Sequence, residues 1–306
     1  MGKCIIFVLI FFSSCSTNDS TVKYYNNDVE IYTYYINRNS ENQNAKNYYR
    51  RSQAYIHLER FQEALADINK AIEITPGNAD YFHIRGTINY YLGNHQEAVN
   101  DYSAAIELNT ENADYYCNRS TVYSLLGEQQ KAMDDCNKAL AIAPRSSRAY
   151  RNRGAIYYLT ENYQNALEDM NMAISISSNN VVSYHTRGAV YLRMNQYNEA
   201  INDFHRAIQL DPAYYNAYTG MGIAYFYLGE NKQAKDCFTR SINIRNNYMA
   251  FYRRGMVLAT EGEYEKAIED INNAISIYEI SHGGIDIEEI LENKIKVLEK
   301  LMETQR

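Results

Sequence analysis

Residues 181–214 read VVSYHTRGAVYLRMNQYNEAINDFHRAIQLDPAY, and this stretch decides the fold of the chain. Tyr184, Gly188 and Tyr191 are spaced i, i+4, i+7, so they share one face of a helix. A second set with helical spacing follows after a polar gap and consists of Ala200, Phe204 and Ala207. Pro212 ends the second pattern, because proline cannot continue a helix. The stretch therefore predicts two helices joined by a short turn.

The same pattern recurs with a period of 34 residues. Seven copies begin at residues 45, 79, 113, 147, 181, 215 and 248, with an interval of 33 residues before the last copy. Counted from these starts, position 4 is always aromatic: Tyr48, Phe82, Tyr116, Tyr150, Tyr184, Tyr218 and Phe251. Position 8 is always small: Ser52, Gly86, Ser120, Gly154, Gly188, Gly222 and Gly255. A fixed period of this length predicts a stack of repeated helix pairs.

Glycine at position 8 needs a physical reason, because a glycine inside a helix costs about 1 kcal/mol relative to alanine. Small side chains at positions 8 and 20 let two helices pack at the short end of the usual interaxial distance of roughly 8 to 10 Å. We therefore expect Gly188 and its equivalents to mark the closest approach of the two helices.

Taken together, the residues at positions 4, 8, 11, 20, 24, 27 and 32 resemble the tetratricopeptide repeat (TPR). In the quoted stretch they are Tyr184, Gly188, Tyr191, Ala200, Phe204, Ala207 and Pro212. The resemblance divides the chain into repeats at 45–78, 79–112, 113–146, 147–180, 181–214, 215–247 and 248–278. It implies an all-α, right-handed superhelical α-solenoid of about seven helix-turn-helix repeats, whose first helices line a concave groove.

The ends of such a stack need covering, because each repeat buries its apolar face only against its neighbours. Residues 286–305 are predicted to form a capping helix with an apolar stripe of Ile287, Ile290, Leu291, Ile295, Leu298 and Leu301. Residues 15–44 are interpreted as a tether, and an N-terminal helix within it is left open.

The N-terminal segment resembles an export signal. Lys3 supplies the positive charge, residues 5–12 the apolar core, and two serines the cleavage site before Cys15. Eight apolar residues are too few to span a bilayer, which needs about 20. Small residues that end at a cysteine resemble the lipobox of bacterial lipoproteins, which implies a signal peptide at 1–14 and lipidation of Cys15. We predict a membrane-anchored lipoprotein that faces the periplasm or the cell surface; ordinary secretion is the alternative.

Composition and charge exclude several classes of function. Apolar residues are 46% and charged residues 22% of the 306 residues, which is typical of a protein with a large core. The net charge of -7 provides no excess of Lys and Arg for phosphate, so nucleic acid is not expected as a partner. Cys117, Cys136 and Cys237 form neither a disulfide framework nor a CxxC metal pair. Since no nucleophile has a paired base at an interpretable spacing, we predict no enzyme activity, no cofactor and no metal.

Arginine and aspartate also recur in register. Position 7 is Arg and position 23 is Asp in six copies: Arg51 and Asp67, Arg85 and Asp101, Arg119 and Asp135, Arg153 and Asp169, Arg187 and Asp203, Arg254 and Asp270. Copy six has Met221 and Cys237 instead. If each aspartate paired with the arginine of the following copy, Asp203 and Arg254 would have no partner of opposite charge. Pairing within a copy leaves no charge unpaired. We therefore predict intra-repeat bridges that tie the two helices together; a ladder of arginines that reads an acidic ligand is the alternative.

The TPR resemblance places positions 2, 5, 9, 12 and 13 in the groove. The predicted binding residues are Tyr90, Tyr91, Arg148, Arg151, Tyr158, His185, Arg193 and Tyr227. Tyrosine and arginine are enriched at binding hot spots. Five of these residues, in repeats four and five, form a positive cluster, so an acidic peptide is the preferred ligand, and solvated residues without a ligand are the alternative. The carboxylate clamp of chaperone-binding TPR domains is not expected, because only Asn118 and Asn152 match it.

These observations favour an interaction scaffold of the bacterial cell envelope that binds a peptide or protein partner in its groove and is anchored to the membrane at Cys15. Two alternatives remain open. A concave face rich in tyrosine could stack sugars, which would make the protein a glycan-binding module. The repeats could also be the regulatory arm of an envelope enzyme complex.

Overall fold

The computed structural model describes residues 19–40, 44–282 and 288–304, so the predicted signal peptide and Cys15 lie outside it. The described residues form helices and no strand, which confirms the all-α prediction. The helices are α1 (Asp19–Arg38), α2 (Ala45–His57), α3 (Phe61–Ile74), α4 (Ala79–Tyr91), α5 (His95–Leu108), α6 (Ala113–Leu125), α7 (Gln129–Ile142), α8 (Ser147–Leu159), α9 (Tyr163–Ile176), α10 (Val181–Arg193), α11 (Tyr197–Leu210), α12 (Tyr215–Tyr227), α13 (Asn231–Ile244), α14 (Tyr248–Thr260), α15 (Tyr264–His282) and α16 (Glu288–Thr304).

The described chain divides into two compact units, and the division falls between Ile156 and Tyr157 inside α8. The N-terminal unit holds α1 to α7 and most of α8, and the C-terminal unit holds the end of α8 and α9 to α16. In each unit the first and second helices of a repeat pack as a pair, as the 34-residue period predicts.

Asparagine side chains determine where several first helices begin. Asn78 Oδ1 accepts a hydrogen bond from the backbone N–H of Asp80 at 2.9 Å, and Asn112 Oδ1 accepts one from Asp114 at 3.0 Å. The same kind of cap begins α10 and α14 in the C-terminal unit. Such a cap satisfies a backbone donor that has no partner within the helix, so asparagine stabilises these helix starts.

Small residues bring the two helices of a repeat together. In the C-terminal unit, Ala200, Phe204 and Ala207 of α11 are fully buried. A Cβ atom built at Gly188 of α10 would lie 2.9 Å from Cε1 of Phe204, closer than real Cβ contacts. The ring therefore occupies the space that any side chain at position 188 would need, and Gly188 marks a close approach of the two helices.

The turn between the two helices has a left-handed residue at position 15 of every repeat. Four repeats use glycine there, at Gly93, Gly127, Gly229 and Gly262, with φ between 76° and 81°. The other three use Glu59, Glu161 and Asn195, with φ between 58° and 60°. Only the glycines are visible as a signal in the sequence, because a non-glycine residue in this conformation is strained by its Cβ atom. The backbone of the turn is thus conserved in geometry across repeats that differ in sequence.

This strain leads to a prediction for Glu59. Glu59→Gly is expected to raise the free energy of unfolding of the N-terminal unit by about 1 kcal/mol, because glycine adopts the left-handed region without steric cost. The matched control is Glu107→Gly, an exposed helical glutamate in α5, which should lower the same quantity by about 1 kcal/mol. Urea denaturation of both variants tests this; equal destabilisation by both would contradict it.

Before the repeats, α1 is a 20-residue helix that packs on α2. Val29 packs against the core of the first repeat, and the Tyr25 ring stacks on His57 with centroids 4.1 Å apart. Thr33 Oγ1 accepts a hydrogen bond from Nη1 of Arg51 at 2.8 Å. These contacts make α1 the cover of the first repeat, where the sequence analysis assigned a tether.

At the C-terminal end of the described residues, α16 packs on α15 and buries Ile290 of the predicted stripe, but three other residues of the stripe are exposed. Ile290 and Val297 are buried at 7% and 4% exposure, whereas Leu291, Ile295 and Leu298 are exposed at 39%, 55% and 36%. Asn293 donates a hydrogen bond to the Tyr252 hydroxyl at 2.7 Å. The apolar residues of α16 form two seams, and only the seam that contains Val297 faces the repeats; Ile287 lies outside the described residues.

Candidate functional site

The arginines of position 7 bond the aspartate of their own repeat. The shortest N–O distances are 2.6 Å for Arg51–Asp67 and Arg85–Asp101, 2.8 Å for Arg119–Asp135, and 2.7 Å for Arg187–Asp203 and Arg254–Asp270. In four of these pairs Nε and Nη2 bind the two carboxylate oxygens in a fork. The remaining pair, Arg153 and Asp169, spans the division between the two units and stays a prediction.

The third nitrogen of each guanidinium has a separate partner that sequence reasoning missed. Nη1 of Arg187, for example, donates to Asn171 Oδ1 in the second helix of the preceding repeat, at 2.6 Å. The equivalent acceptors are Thr33, Asn69, Ser103, Asn137 and Thr239. From Asn69 onward the acceptors lie at position 25 of a repeat, where Asn, Ser or Thr recurs, and that recurrence is the signal that could have revealed the contact. In the five pairs above, each guanidinium therefore ties together three helices, and at most two of its five N–H donors are left for a ligand.

The pKa directions of Asp203 and Arg187 show which effects oppose each other in their ion pair. Burial raises the pKa of Asp203, against the opposing effect of the hydrogen bond from Arg187. The pKa of Arg187 is raised, chiefly by its hydrogen bond to Asp203. Removing the carboxylate from water thus offsets much of what the pairing contributes, as is common for buried ion pairs. We therefore predict that the bridges contribute more to the register of the helices than to their stability.

A polar network connects the first helices of three repeats in the N-terminal unit. Arg148 of α8 bonds Asp114 of α6 through Nη2, and its Nη1 donates to Asn118 Oδ1 at 3.1 Å. Asn118 Nδ2 lies 2.7 Å from Nε2 of His83 in α4. The His83 ring packs against Tyr115, with centroids 4.9 Å apart. Positions 2, 5 and 6 of successive repeats therefore form one ordered surface.

Of the predicted binding residues in the N-terminal unit, Arg148 belongs to this network and Arg151 lies half-buried in the same helix. Tyr91 stacks on Phe61 of the preceding repeat, with centroids 5.0 Å apart and 14° between the rings. Burial raises the pKa of Tyr90 to about 12, so its hydroxyl stays protonated at neutral pH. Asn152 donates to the backbone carbonyl of Cys117 at 3.0 Å, so this amide serves the packing of α8 on α6.

In the C-terminal unit, the predicted residues at position 13 contact position 17 of the preceding repeat. Tyr227 stacks on Tyr197 with centroids 5.4 Å apart and is itself 55% exposed. Arg193 Nε donates to the Tyr163 hydroxyl at 3.0 Å, and its Nη2 lies 3.6 Å from Glu161. Tyr158 lies near the ring of Tyr163, at 6.2 Å between centroids. Tyr227 and Arg193 thus join neighbouring repeats, whereas the Tyr158 contact lies within repeat four, and part of each side chain stays exposed.

The predicted positive cluster carries less charge than its residue types suggest. Arg148 is paired with Asp114, and Arg193 lies beside Glu161. His185 packs between Phe204 and Tyr214, and burial lowers its pKa to about 4, so it is neutral at pH 7. Two arginines thus have carboxylate neighbours, and the histidine adds no charge.

The environment of His185 predicts an acid-sensitive C-terminal unit. A histidine whose pKa is lowered on folding stabilises the folded state above pH 6.5 and loses that contribution as the pH falls toward 4. We expect the free energy of unfolding to drop by on the order of 1–2 kcal/mol between pH 7 and pH 5 because of this residue. Urea denaturation of the parent and of His185→Gln at both pH values measures it. An identical pH dependence in the two proteins would refute the assignment.

The described residues contain neither a cluster of metal ligands nor a helix suited to span a membrane. No group of three or more His, Cys, Asp or Glu side chains in residues 19–40, 44–282 and 288–304 is arranged to hold a metal ion. In the same residues, no helix has both the length and the apolar character needed to cross a membrane.

Models of one protein family match most of the repeats. A TPR repeat model matches residues 86–127 and 190–229, a tetratricopeptide repeat model matches 45–78, and a second tetratricopeptide repeat model matches 113–146, 215–248 and 250–280. Together they cover more than half of the chain. No curated protein matches the sequence.

Solved structures with similar folds agree with the family models. A tetratricopeptide repeat protein from Parabacteroides merdae has a TM-score of 0.64 and 24% identity over 83% of this chain and 98% of that chain. The APC/C hetero-tetramer Cut9-Hcn1 has a TM-score of 0.71 and 17% identity, over 76% of this chain and 46% of that chain. PilF of Pseudomonas aeruginosa has a TM-score of 0.57 and 18% identity, over 67% of this chain and 92% of that chain. With its 34-residue period, its paired helices and these family matches, the chain belongs to the tetratricopeptide repeat family.

Proposed function

We propose that this protein is an envelope scaffold that binds an extended peptide segment of a partner protein on the first helices of its repeats. TPR proteins generally bind protein or peptide partners. The observation that carries the proposal is the network of Asp114, Arg148, Asn118 and His83, which places fixed donors and acceptors along successive first helices. An ordered polar surface of this kind is preorganised for a ligand.

The geometry of Arg148 determines what the surface can bind. Its guanidinium has five N–H donors, of which one points to Asp114 and one to Asn118. The side chain is 37% exposed, so donors remain for a partner, and its orientation is already fixed. Little side-chain entropy is therefore lost when a carboxylate or a backbone carbonyl binds there.

The neighbouring carboxylate determines the charge preference. Asp114 is 64% exposed and offers acceptors directly beside the guanidinium donors. A peptide backbone presents a donor and an acceptor at each residue, and it can satisfy both groups at once. The network therefore favours an extended peptide backbone over a purely acidic ligand. Arg151→Glu tests the predicted preference for an acidic partner, because reversing this charge should weaken the binding of an acidic segment.

The envelope location rests on the sequence of the N-terminal segment. The combination of Lys3, the apolar residues 5–12 and the small residues before Cys15 is what export and lipidation require. Cys15 precedes α1 by only four residues, which would hold the first repeat near the lipid surface. Metabolic labelling with a fatty acid tests this point, since Cys15→Ala should abolish the label and release the protein from membranes.

Partner binding is tested by capture from detergent-solubilised envelopes with quantitative mass spectrometry. Arg148→Gln removes the positive charge and reduces the number of N–H donors. We therefore expect recovery of the partner to fall by about tenfold, equivalent to roughly 1.4 kcal/mol. The matched control is Lys138→Gln on the second helix α7, where the side chain is exposed. Equal recovery with both variants would remove the network from the binding site.

The glycan alternative has weaker support from the positions of the tyrosines. Stacking on a sugar needs a free ring face. Phe61 covers one face of Tyr91, and Tyr197 covers one face of Tyr227, so at most one face of each ring is open to a sugar. The same capture experiment separates the alternatives, because a glycan-binding module would retain polysaccharide in place of a stoichiometric protein.

A further inference from the structure

We propose that α16 is a dimerisation helix, which binds α16 of a second copy of this chain in a short parallel coiled coil. The surface involved consists of four side chains, which we call the outer seam. They are Leu291 at 39% exposure, Ile295 at 55%, Leu298 at 36% and Met302 at 58%. The outer seam is separate from the binding surface of the first helices, so the proposal is independent of the proposed function.

The outer seam is not needed to hold α16 on its own chain. Ile290 and Val297 face the core that contains Tyr252, Leu258 and Ala274, and they are nearly fully buried. A helix that caps a repeat array normally has a polar outer face. In α16 the outer face instead has four large apolar residues within 12 positions, or about 16 Å of helix.

The spacing of the outer seam matches the apolar spacing of a coiled coil. The intervals of four, three and four residues are those of heptad positions d, a, d and a. Leu291 and Leu298 occupy position d, and Ile295 occupies position a. Leucine at d with a β-branched residue at a favours two parallel strands over higher oligomers. The seam is thus complementary to a second copy of itself about a two-fold axis.

The flanking charges fit the parallel arrangement. Lys294 lies at position g and Glu299 at the following position e, which meet across the interface in a parallel pair. Among the described residues, neither of these two side chains has an ion-pair partner in its own chain. In an antiparallel pair, Glu292 would instead approach Glu299 of the other copy, and like charges would repel. Charge complementarity therefore specifies the partner as a second copy in parallel.

The size of the seam determines how strong the association is. Four partly exposed side chains in each copy bury far less than the roughly 1,200–2,000 Å² of a standard interface. We therefore expect a dimer that dissociates on dilution and that forms most readily where the chains are concentrated.

Cysteine cross-linking of the full chain tests the proposal. Leu298→Cys should give a disulfide-linked dimer on mild oxidation, because d residues face each other across a parallel pair. The matched control is Lys296→Cys, which lies on the solvent side of the same helix and should give none. The native thiols Cys117, Cys136 and Cys237 are buried, and the unsubstituted chain measures any background from the remaining cysteines.

A mixture of two chains tests the direction. When Leu291→Cys and Met302→Cys chains are co-expressed, each should cross-link to its own kind, whereas an antiparallel pair would give only the mixed product. Glu299→Lys should weaken the dimer several-fold in sedimentation, and the added change Lys294→Glu should restore it. A cross-link from Leu298→Cys to a different protein, or no more cross-linking than with Lys296→Cys, would overturn the proposal.

Discussion

Gly220→Ala is expected to lower the free energy of unfolding of the C-terminal unit by about 2 kcal/mol. A Cβ atom at this position in α12 would lie 2.5 Å from Cζ of Phe204, 2.7 Å from Cε1 and 2.9 Å from Cε2. The ring is fully buried and also packs close to Gly188, where an added Cβ atom would lie 2.9 Å from Cε1 of the same ring. Overpacking of this kind costs roughly 1–3 kcal/mol, and we place this site at the upper end. The better helix propensity of alanine returns about 1 kcal/mol.

The control for this prediction is Gly77→Ala, in a turn where no atom lies within 4 Å of the Cβ position. It should change the unfolding free energy by less than about 0.5 kcal/mol. A double-mutant cycle with Phe204→Leu tests the cause, because a smaller side chain makes room for the new methyl group. We expect the double variant to be more stable than the sum of the single changes by at least about 1 kcal/mol. Additive effects would show that the ring and Gly220 are not in steric conflict.

Much of this architecture could be predicted from the sequence, for a physical reason that Gly188, Gly220 and Phe204 illustrate. Helix pairs in close contact need small residues opposite large ones, and this requirement leaves a periodic trace. Gly220 itself lies at position 6, outside that trace, because it accommodates the ring of the preceding repeat. Contacts within a repeat could therefore be predicted from the periodic pattern, whereas contacts between repeats could not.

Two further features could not be predicted because they leave no distinctive residue type. The left-handed turns at Glu59 and Glu161 have the same backbone as those with glycine, since the surrounding helices impose the conformation. The helix α1 is rich in Asn and Tyr and lacks a strong apolar stripe, so its packing on α2 was not evident. Arg148 presents a third case, because its residue type indicates positive charge, whereas Asp114, 34 residues earlier in the chain, neutralises it.

The sequence predicts on which helix positions the candidate residues lie, but it does not predict which side chains contact them. Tyr91 and Tyr227 lie at the first-helix positions that the family resemblance indicates, yet each stacks on an aromatic ring of the preceding repeat. His83 lies at position 5, which the family resemblance places in the groove, and it belongs to the polar network. Its partner Asn118 lies at position 6 of the next repeat, outside the groove positions that the resemblance indicates.

The second large effect concerns the ion pair of repeat five. Asp203→Cys is expected to lower the local unfolding free energy by about 3 kcal/mol, because it leaves the partly buried guanidinium of Arg187 without its carboxylate. Hydrogen exchange of the amides in α10 and α11 measures this locally, which suits a repeat protein whose parts open separately. Asp203 is 7% exposed and Arg187 19%, so water can replace only part of the lost contact.

The chain supplies its own control for this change. Repeat six has Met221 and Cys237 at the positions of Arg187 and Asp203, and Cys237 is buried at 8% exposure. The double change Arg187→Met with Asp203→Cys therefore gives repeat five the two residues that repeat six has at these positions. Replacing a buried ion pair by apolar residues is often nearly neutral. We expect the double variant to lose only about 1 kcal/mol, mainly because Asn171 then lacks its donor.

The comparison of the single and double variants distinguishes two roles for the bridges. If the ion pairs were a main source of stability, the double variant would be at least as unstable as the single variant. If they mainly set the register between helices, the double variant would recover most of the loss while the single variant would not. The raised pKa of Asp203, which burial causes, favours the second outcome. Met221→Arg in repeat six should be destabilising by itself, since a guanidinium there would face Cys237 with no carboxylate to bind.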